Sequence, residues 1–171
     1  PGVWSDFDFD FSRAPIFYSL DNLTVEKGNF LEANFYGDQN FENVKFAQDA
    51  DFSGAEFRKF ATDFKVKFSS VIFAQEANFS GSTFENKADF LSATFGGKAE
   101  FSGTTFTDDA VFSAATFVGF ANFSAFFQGE AEFRQVTFKS ATFSGATFDR
   151  NASFSGKTTF GGIVNFRGTP F

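Results

Sequence analysis

Phenylalanine recurs along this chain at intervals too short and too regular for a helix. In the central stretch the rings fall at Phe79, Phe84, Phe90, Phe95, Phe101, Phe106, Phe112 and Phe117, alternately five and six residues apart. The unit is therefore an eleven-residue repeat made of two near-pentapeptides. Self-similarity at a short fixed period sets the architecture before any local propensity does. Two positions before each ring stands a small residue: Ala77, Ser82, Ala88, Ala93, Ala99, Thr104, Ala110 and Ala115. Side chains of extended backbone alternate between faces, so ring and small residue share one side and the residue between them points the other way. Those in-between residues, from Asn78 and Thr83 to Val111 and Thr116, are polar apart from Val111. Each half-repeat thus predicts a short strand with a Phe and a small residue inside, then a Ser-Gly or Gly-Gly corner. No apolar stripe of period 3.6 fits these intervals.

The same rhythm runs upstream through Phe30, Phe35, Phe41, Phe46, Phe52 and Phe57, with Gly28, Ala33, Gln39, Val44, Ala50 and Ala55 as inward partners. It breaks at residues 58–67, RKFATDFKVK, which read as a corner insertion or bulge with Phe64 on the ladder and Phe60 left over. A second slip at Phe123, Phe127 and Phe133 loses one residue and is expected to displace Phe126 outward beside Phe120. The ladder then continues to Phe171, so that 27 Phe from Phe30 onward take places on it. Residues 1–29 do not fit the period and are expected to form an N-terminal cap, as solenoids need. Within it Asp6 to Phe11 alternates Asp with Phe and reads as one strand, and Trp4, Phe7, Phe9, Phe11, Ile16, Phe17, Leu20 and Leu23 supply the cap's apolar side. The domain division is 1–29 for the cap and 30–171 for the repeat array.

The segments ANFSG, ADFLS and AEFSG resemble the Ala-(Asp/Asn)-Phe-Xaa-Xaa pattern of pentapeptide-repeat proteins, in the subtype that alternates five with six. That resemblance covers roughly Phe30 to Phe171. It implies an all-β fold, a right-handed quadrilateral parallel β-helix with one pentapeptide per side and four per coil. Two eleven-residue units then make one coil of 22, which gives about seven coils and a body about 32 Å long at the spacing of hydrogen-bonded strands. A fold of this kind hosts many functions.

Composition narrows the chemistry. The 171 residues contain 34 Phe but neither Cys nor His. No disulfide, thiolate site, zinc site of the usual ligands or Ser-His-Asp arrangement can be built, and the commonest general base is missing. No run of about 18 apolar residues is present to span a membrane. The chain opens at Pro1 without a signal-peptide pattern and reads as a processed chain or an excised piece; a cytoplasmic location is favoured. Carboxylate neighbours such as Asp108 with Asp109, or Glu130 with Glu132, lie at expected corners with nothing to desolvate them. No enzymatic activity, metal or cofactor is expected.

The net charge of −7 speaks against direct nucleic-acid binding. The family resemblance raises the opposite idea, an acidic rod that mimics DNA and binds a type II topoisomerase such as gyrase. Residues 30–171 carry 16 acidic against 12 basic residues, a mixture rather than dense acidic columns. Outward Thr residues are expected to stack, Thr94 with Thr116 and Thr137 on one side and Thr83 with Thr105 on the opposite one. Such ladders stabilise any sheet, which outweighs an ice-binding reading. What remains is a rigid scaffold or protein-interaction module with an unspecified protein partner. Its contacts are expected where the repeat breaks, because the fold does not explain those residues. The candidates are Lys59, Phe60, Lys65 and Lys67 at the first break and Phe120 with Phe126 at the second. The C-terminal end is expected either to continue into further repeats or to pair tail-to-tail with a second copy.

Overall fold

Two residues per side suffice to build β structure here, because a corner follows every five or six residues and the inward ring anchors each side. The computed structural model describes residues 7–59 and 65–170. Among them are 26 short strands and no helix, and every strand pairing is parallel. The chain winds as a solenoid of about seven turns whose cross-section has four sides. One side stacks Ala50–Asp51, Ala77–Asn78 and Ala99–Glu100. The next stacks Glu56–Arg58, Thr83–Phe84 and Thr105–Phe106. The third stacks Lys65–Lys67, Lys87–Asp89 and Ala110–Val111. The fourth stacks Ile72–Phe73, Thr94–Phe95 and the start of Thr116–Asn122. The fourth and first sides merge into one 13-stranded sheet because Thr116–Asn122 and Thr137–Thr142 run through their shared corner as continuous strands.

The interior is four columns of rings. In the first, Phe30, Phe52, Phe79, Phe101, Phe123 and Phe143 stack nearly parallel with centroids 4.5–5.1 Å apart. The other columns run through Phe84 and Phe106 at 5.1 Å, Phe90 and Phe112 at 4.8 Å, and Phe95 and Phe117 at 4.6 Å. Across the axis the rings meet edge to face, as Phe79 and Phe90 do at 86° and 5.6 Å. Both arrangements put positive ring edges against negative faces or offset them, the geometry that aromatic quadrupoles favour. The eight rings from Phe79 to Phe117 are all buried, as are Ala77, Ala88, Ala99 and Ala110 beside them. Buried hydroxyls find carbonyls: Ser82 Oγ and Thr104 Oγ1 both donate to Phe79 O, at 2.8 and 2.6 Å. Gln39 is the exception, with Nε2 donating to Tyr36 O at 2.8 Å while buried Oε1 lacks a partner.

The first coil begins earlier than the Phe period does. Phe9–Asp10 pairs with Gly28–Asn29, Pro15–Ile16 with Asn34–Phe35, and Thr24–Val25 with Lys45–Phe46. Phe11 stacks on Phe30 at 5.7 Å, and buried Ile16 and Val25 occupy ladder places that Phe holds in later coils. Among the described residues the Asp/Phe alternation forms a strand only at Phe9–Asp10, because the Asp10 carboxylate accepts the Ser12 N–H at 3.1 Å and turns the chain. Trp4 and Asp6 lie outside the described residues. Phe9, Phe11, Leu20 and Leu23 pack on the core as expected of the cap, whereas Phe7 and Phe17 are exposed. Phe17 follows inward-facing Ile16 and so points out, where it stacks on Tyr36 at 5.1 Å.

Both breaks in the rhythm resolve as corner variations. Phe57 stacks on Phe35 and Phe84, and Phe68 on Phe41 and Phe90. The described columns therefore step from Phe57 to Phe68, over eleven residues where Phe84 to Phe90 takes six. Phe60 and Phe64 themselves lie outside the described residues. At the second break the usual turn, in which Thr104 N–H donates to Phe101 O, is replaced by a tighter one in which Ala125 N–H donates to Phe123 O at 2.8 Å. A three-residue turn in place of a four-residue one absorbs the missing residue.

Candidate interaction surface

Most outward polar residues on the first side close corners. Asp51, Asn78, Glu100 and Asn122 each accept the backbone N–H two residues on, at 3.0–3.1 Å. Side chains of this type mimic a backbone turn by such a bond. Lys59 and Lys65 are likewise held by their backbones: Lys59 N–H donates to Glu85 Oε2 at 2.7 Å and Lys65 N–H to Asp38 Oδ1 at 3.0 Å. Neighbouring coils thus latch the two flanks of the insertion. The side chains of Lys65 and Lys67 face outward, in register with Lys87 and Asp89.

Phe120 and Phe126 are both exposed, at 43% and 46%, but they do not lie beside each other. Phe120 belongs to Thr116–Asn122 in the 13-stranded sheet, and Phe126 lies between Thr105 and Thr147 on the seven-stranded one. The tightened turn shifts Phe126 along its own side without bringing it round the corner. Thr94, Thr116 and Thr137 do stack, and Thr159 extends their rank.

Phe120 has other neighbours. Opposite Phe138–Ser140, the strand through Phe117–Phe120 carries one extra residue, a β-bulge at Val118–Gly119. Gly119 is required there, since a Cβ would come within 2.0 Å of Gly97 O in the coil below. Two shallow grooves flank this corner. One, about 280 Å³, is lined by Thr116, Val118, Thr137, Lys139, Thr159 and Gly161 among others. The second, about 460 Å³, lies between Phe120 and Ile163 over Ser140, Ala141 and Thr142. Val118 is 48% exposed and Ile163 82%. Three residues before each ring of the first column, the chain places Lys27, Asp49, Glu76, Lys98, Phe120, Ser140 and Ile163 in succession. The rank is charged up to Lys98 and uncharged beyond it.

Acidic residues in the charged part are occupied with one another's neighbours. Lys98 Nζ lies 2.8 Å from Glu100 and 3.8 Å from Glu76, and Asn122 Nδ2 donates to Glu100 Oε1 at 2.6 Å. Burial opposes the Glu100 charge, yet hydrogen bonds from Lys98 and Ser102 and the Lys98 charge outweigh it and hold the carboxyl below its ordinary range. Among the described residues no group of three acids is arranged to hold a metal.

The family described as Pentapeptide repeats (9 copies) matches residues 68–116, the stretch of most regular spacing, and the same four columns continue on both sides of it. Residues 68–116 are pentapeptide repeats. A search of curated proteins finds no match. The pentapeptide-repeat fold accounts for the rings, the small residues and the corner Asp and Asn, and it serves as a repeat scaffold. It does not account for Val118, Phe120 and Ile163. Sequence spacing flagged Phe120 as out of place. It did not flag Val118, nor Ile163, whose equivalence to charged residues appears only once the coils are aligned in register.

Proposed function

We propose that this protein is a non-catalytic scaffold that binds a protein partner by shape at the corner bearing Val118, Phe120 and Ile163. The carrying observation is the switch of one corner rank from Lys27, Asp49, Glu76 and Lys98 to Phe120, Ser140 and Ile163. Equivalent positions that fold equally well with charges have no structural need of exposed apolar side chains. A stack of closed coils offers these groups on a fixed frame, so little ordering cost falls due on binding. The Lys59, Lys65 and Lys67 corner and Phe126 are lesser candidates, since the first has a structural use for its amides and the second stands alone in a Thr rank. A photo-crosslinking residue at position 120 is expected to capture the partner, and one at position 76 in the same rank is not. Equal capture at both positions would remove the proposal.

A second, end-on contact is favoured by the partial exposure of Phe148, Phe154 and Phe160, in columns whose inner rings are buried. Further repeats or a second copy stacking there would cover them. Light scattering that stays at monomer mass at high concentration, with no repeats following in the native gene, would refute this reading.

A further inference from the structure

The partner's chemistry is written in the charges around that corner. From Thr116 onward, the fourth and first sides and the corners at their two ends carry Arg134, Lys139, Lys157 and Arg167 and no carboxylate. The three carboxylates of this part of the chain, Glu130, Glu132 and Asp149, lie on the six-stranded sheet or at the corner entering it. Glu132 is already paired with Arg134 at 3.9 Å. In a protein of net charge −7, where the corner lysine Lys98 is neutralised by Glu76 and Glu100, Lys139, Lys157 and Arg167 make no ion pair among the described residues. Lys139 lines the first apolar groove and lies in the strand that separates it from the second, next to Ser140, while the Arg167 N–H donates to Asn165 Oδ1 at 2.9 Å at the edge of the second.

We infer that the two grooves take an extended, acidic-apolar peptide segment of a protein partner, with apolar side chains seated against Val118 and against Phe120 and Ile163, and carboxylates meeting Lys139 and Arg167. The inference rests on the reading of this corner as the docking surface and adds the chemistry of what docks. Apolar burial supplies the affinity. The cations supply orientation and reject basic segments, since like charges at an interface rim are repelled while opposite ones speed encounter. The Thr116, Thr137 and Thr159 hydroxyls along the first groove can serve the backbone of an extended chain.

The test is selection of random twelve-residue phage-displayed peptides on the immobilised full chain, with synthetic versions of the winners measured by fluorescence anisotropy. Winners are expected to combine large apolar residues with a net negative charge. Their binding is expected to weaken about tenfold in Lys139→Glu, a shift of about 1.4 kcal/mol. It should be lost in Ile163→Asp and fall as salt shortens the screening length. Both residues are exposed, so unchanged circular dichroism melts will show that the variants remain folded. Neutral or basic winners that still require Ile163 would overturn the peptide chemistry and leave the docking surface standing. Winners indifferent to both Ile163→Asp and Phe120→Ser, or no winners at all, would overturn the surface as well.

Discussion

Residues in the left-handed region recur coil after coil at two of the corners, and in most coils the two corners use different residue types for it. After the first column it is Arg13 and Glu32 in the first coils, at φ of 58° and 53°, and then Gly54, Gly81, Gly103, Gly145 or Gly168, at 64° to 72°; after the third it is Asn22, Asn43, Ser70, Ser92, Ala114 or Gln135, at 56° to 59°, with Gly156 and Lys157 in the last coil, at 71° and 67°. A Cβ in that region costs about 1 kcal/mol or more. Gly103→Ala is therefore expected to lower stability by about 1 kcal/mol, and Ala114→Gly to raise it by somewhat less. Urea midpoints at constant slope will read both. Losses of equal size in the two variants would show that corner backbone is not what they report. The Ser-Gly corners were legible in the sequence because glycine announces the conformation. Ala114 announces nothing, since its conformation is imposed by the coils above and below. The corner Asp and Asn were legible as outward and polar, but not as turn formers, because alternation tells only which way a side chain points.

The ring column is the element that carries stability. Phe101 touches Phe79 at 5.1 Å and Phe123 at 4.9 Å and is fully buried, whereas Phe126 is half-exposed outside the columns. Phe101→Ala is expected to cost about 3–5 kcal/mol. Phe126→Ala should cost well under about 1 kcal/mol, as exposed substitutions usually do. Similar melting-temperature losses would place Phe126 in the core. The strand that carries Glu100 also brings a pH dependence. Its carboxyl is depressed in the folded chain, so the stabilisation is complete above the ordinary carboxylate pKa and disappears as pH falls through the lower, folded value. Stability in Glu100→Gln should accordingly fall less steeply on acidification, as denaturant melts across pH 2 to 6 would reveal, with 2 to 6 only a rough window around ordinary carboxylate values. The columns were readable over Phe79–Phe117 because there the corners have constant length. They were not readable across residues 58–67, because spacing alone does not show that the columns step from Phe57 to Phe68 over eleven residues. The first coil stayed hidden for a different reason, since Ile16 and Val25 fill ring places without the ring.

For the whole molecule, the absence of helix among the described residues leads to an all-β circular dichroism spectrum, and a helical one would end the description. Charge is distributed unevenly: residues 30–110 hold 13 acidic and 7 basic residues, and residues 111–171 hold 3 and 5. Even in the acidic half, Lys98 interrupts the carboxylates of Glu76 and Glu100. A duplex mimic needs an unbroken acidic run, so gyrase supercoiling is expected to proceed unchanged in the presence of this protein. Clear inhibition or protection would overturn the scaffold reading. The eleven-residue step from Phe57 to Phe68 has a wider meaning. Elsewhere the columns accept steps of six, five and, from Phe123 to Phe127, four residues, with stacking distances that hardly change. The interior is thus indifferent to how much chain lies between its rungs, and loop closure charges little for added length. In evolutionary terms surface and core are decoupled: corners can gain or lose residues, and with them recognition, while the column beneath keeps its register. The insertion corner is where foreign sequence could be grafted most cheaply.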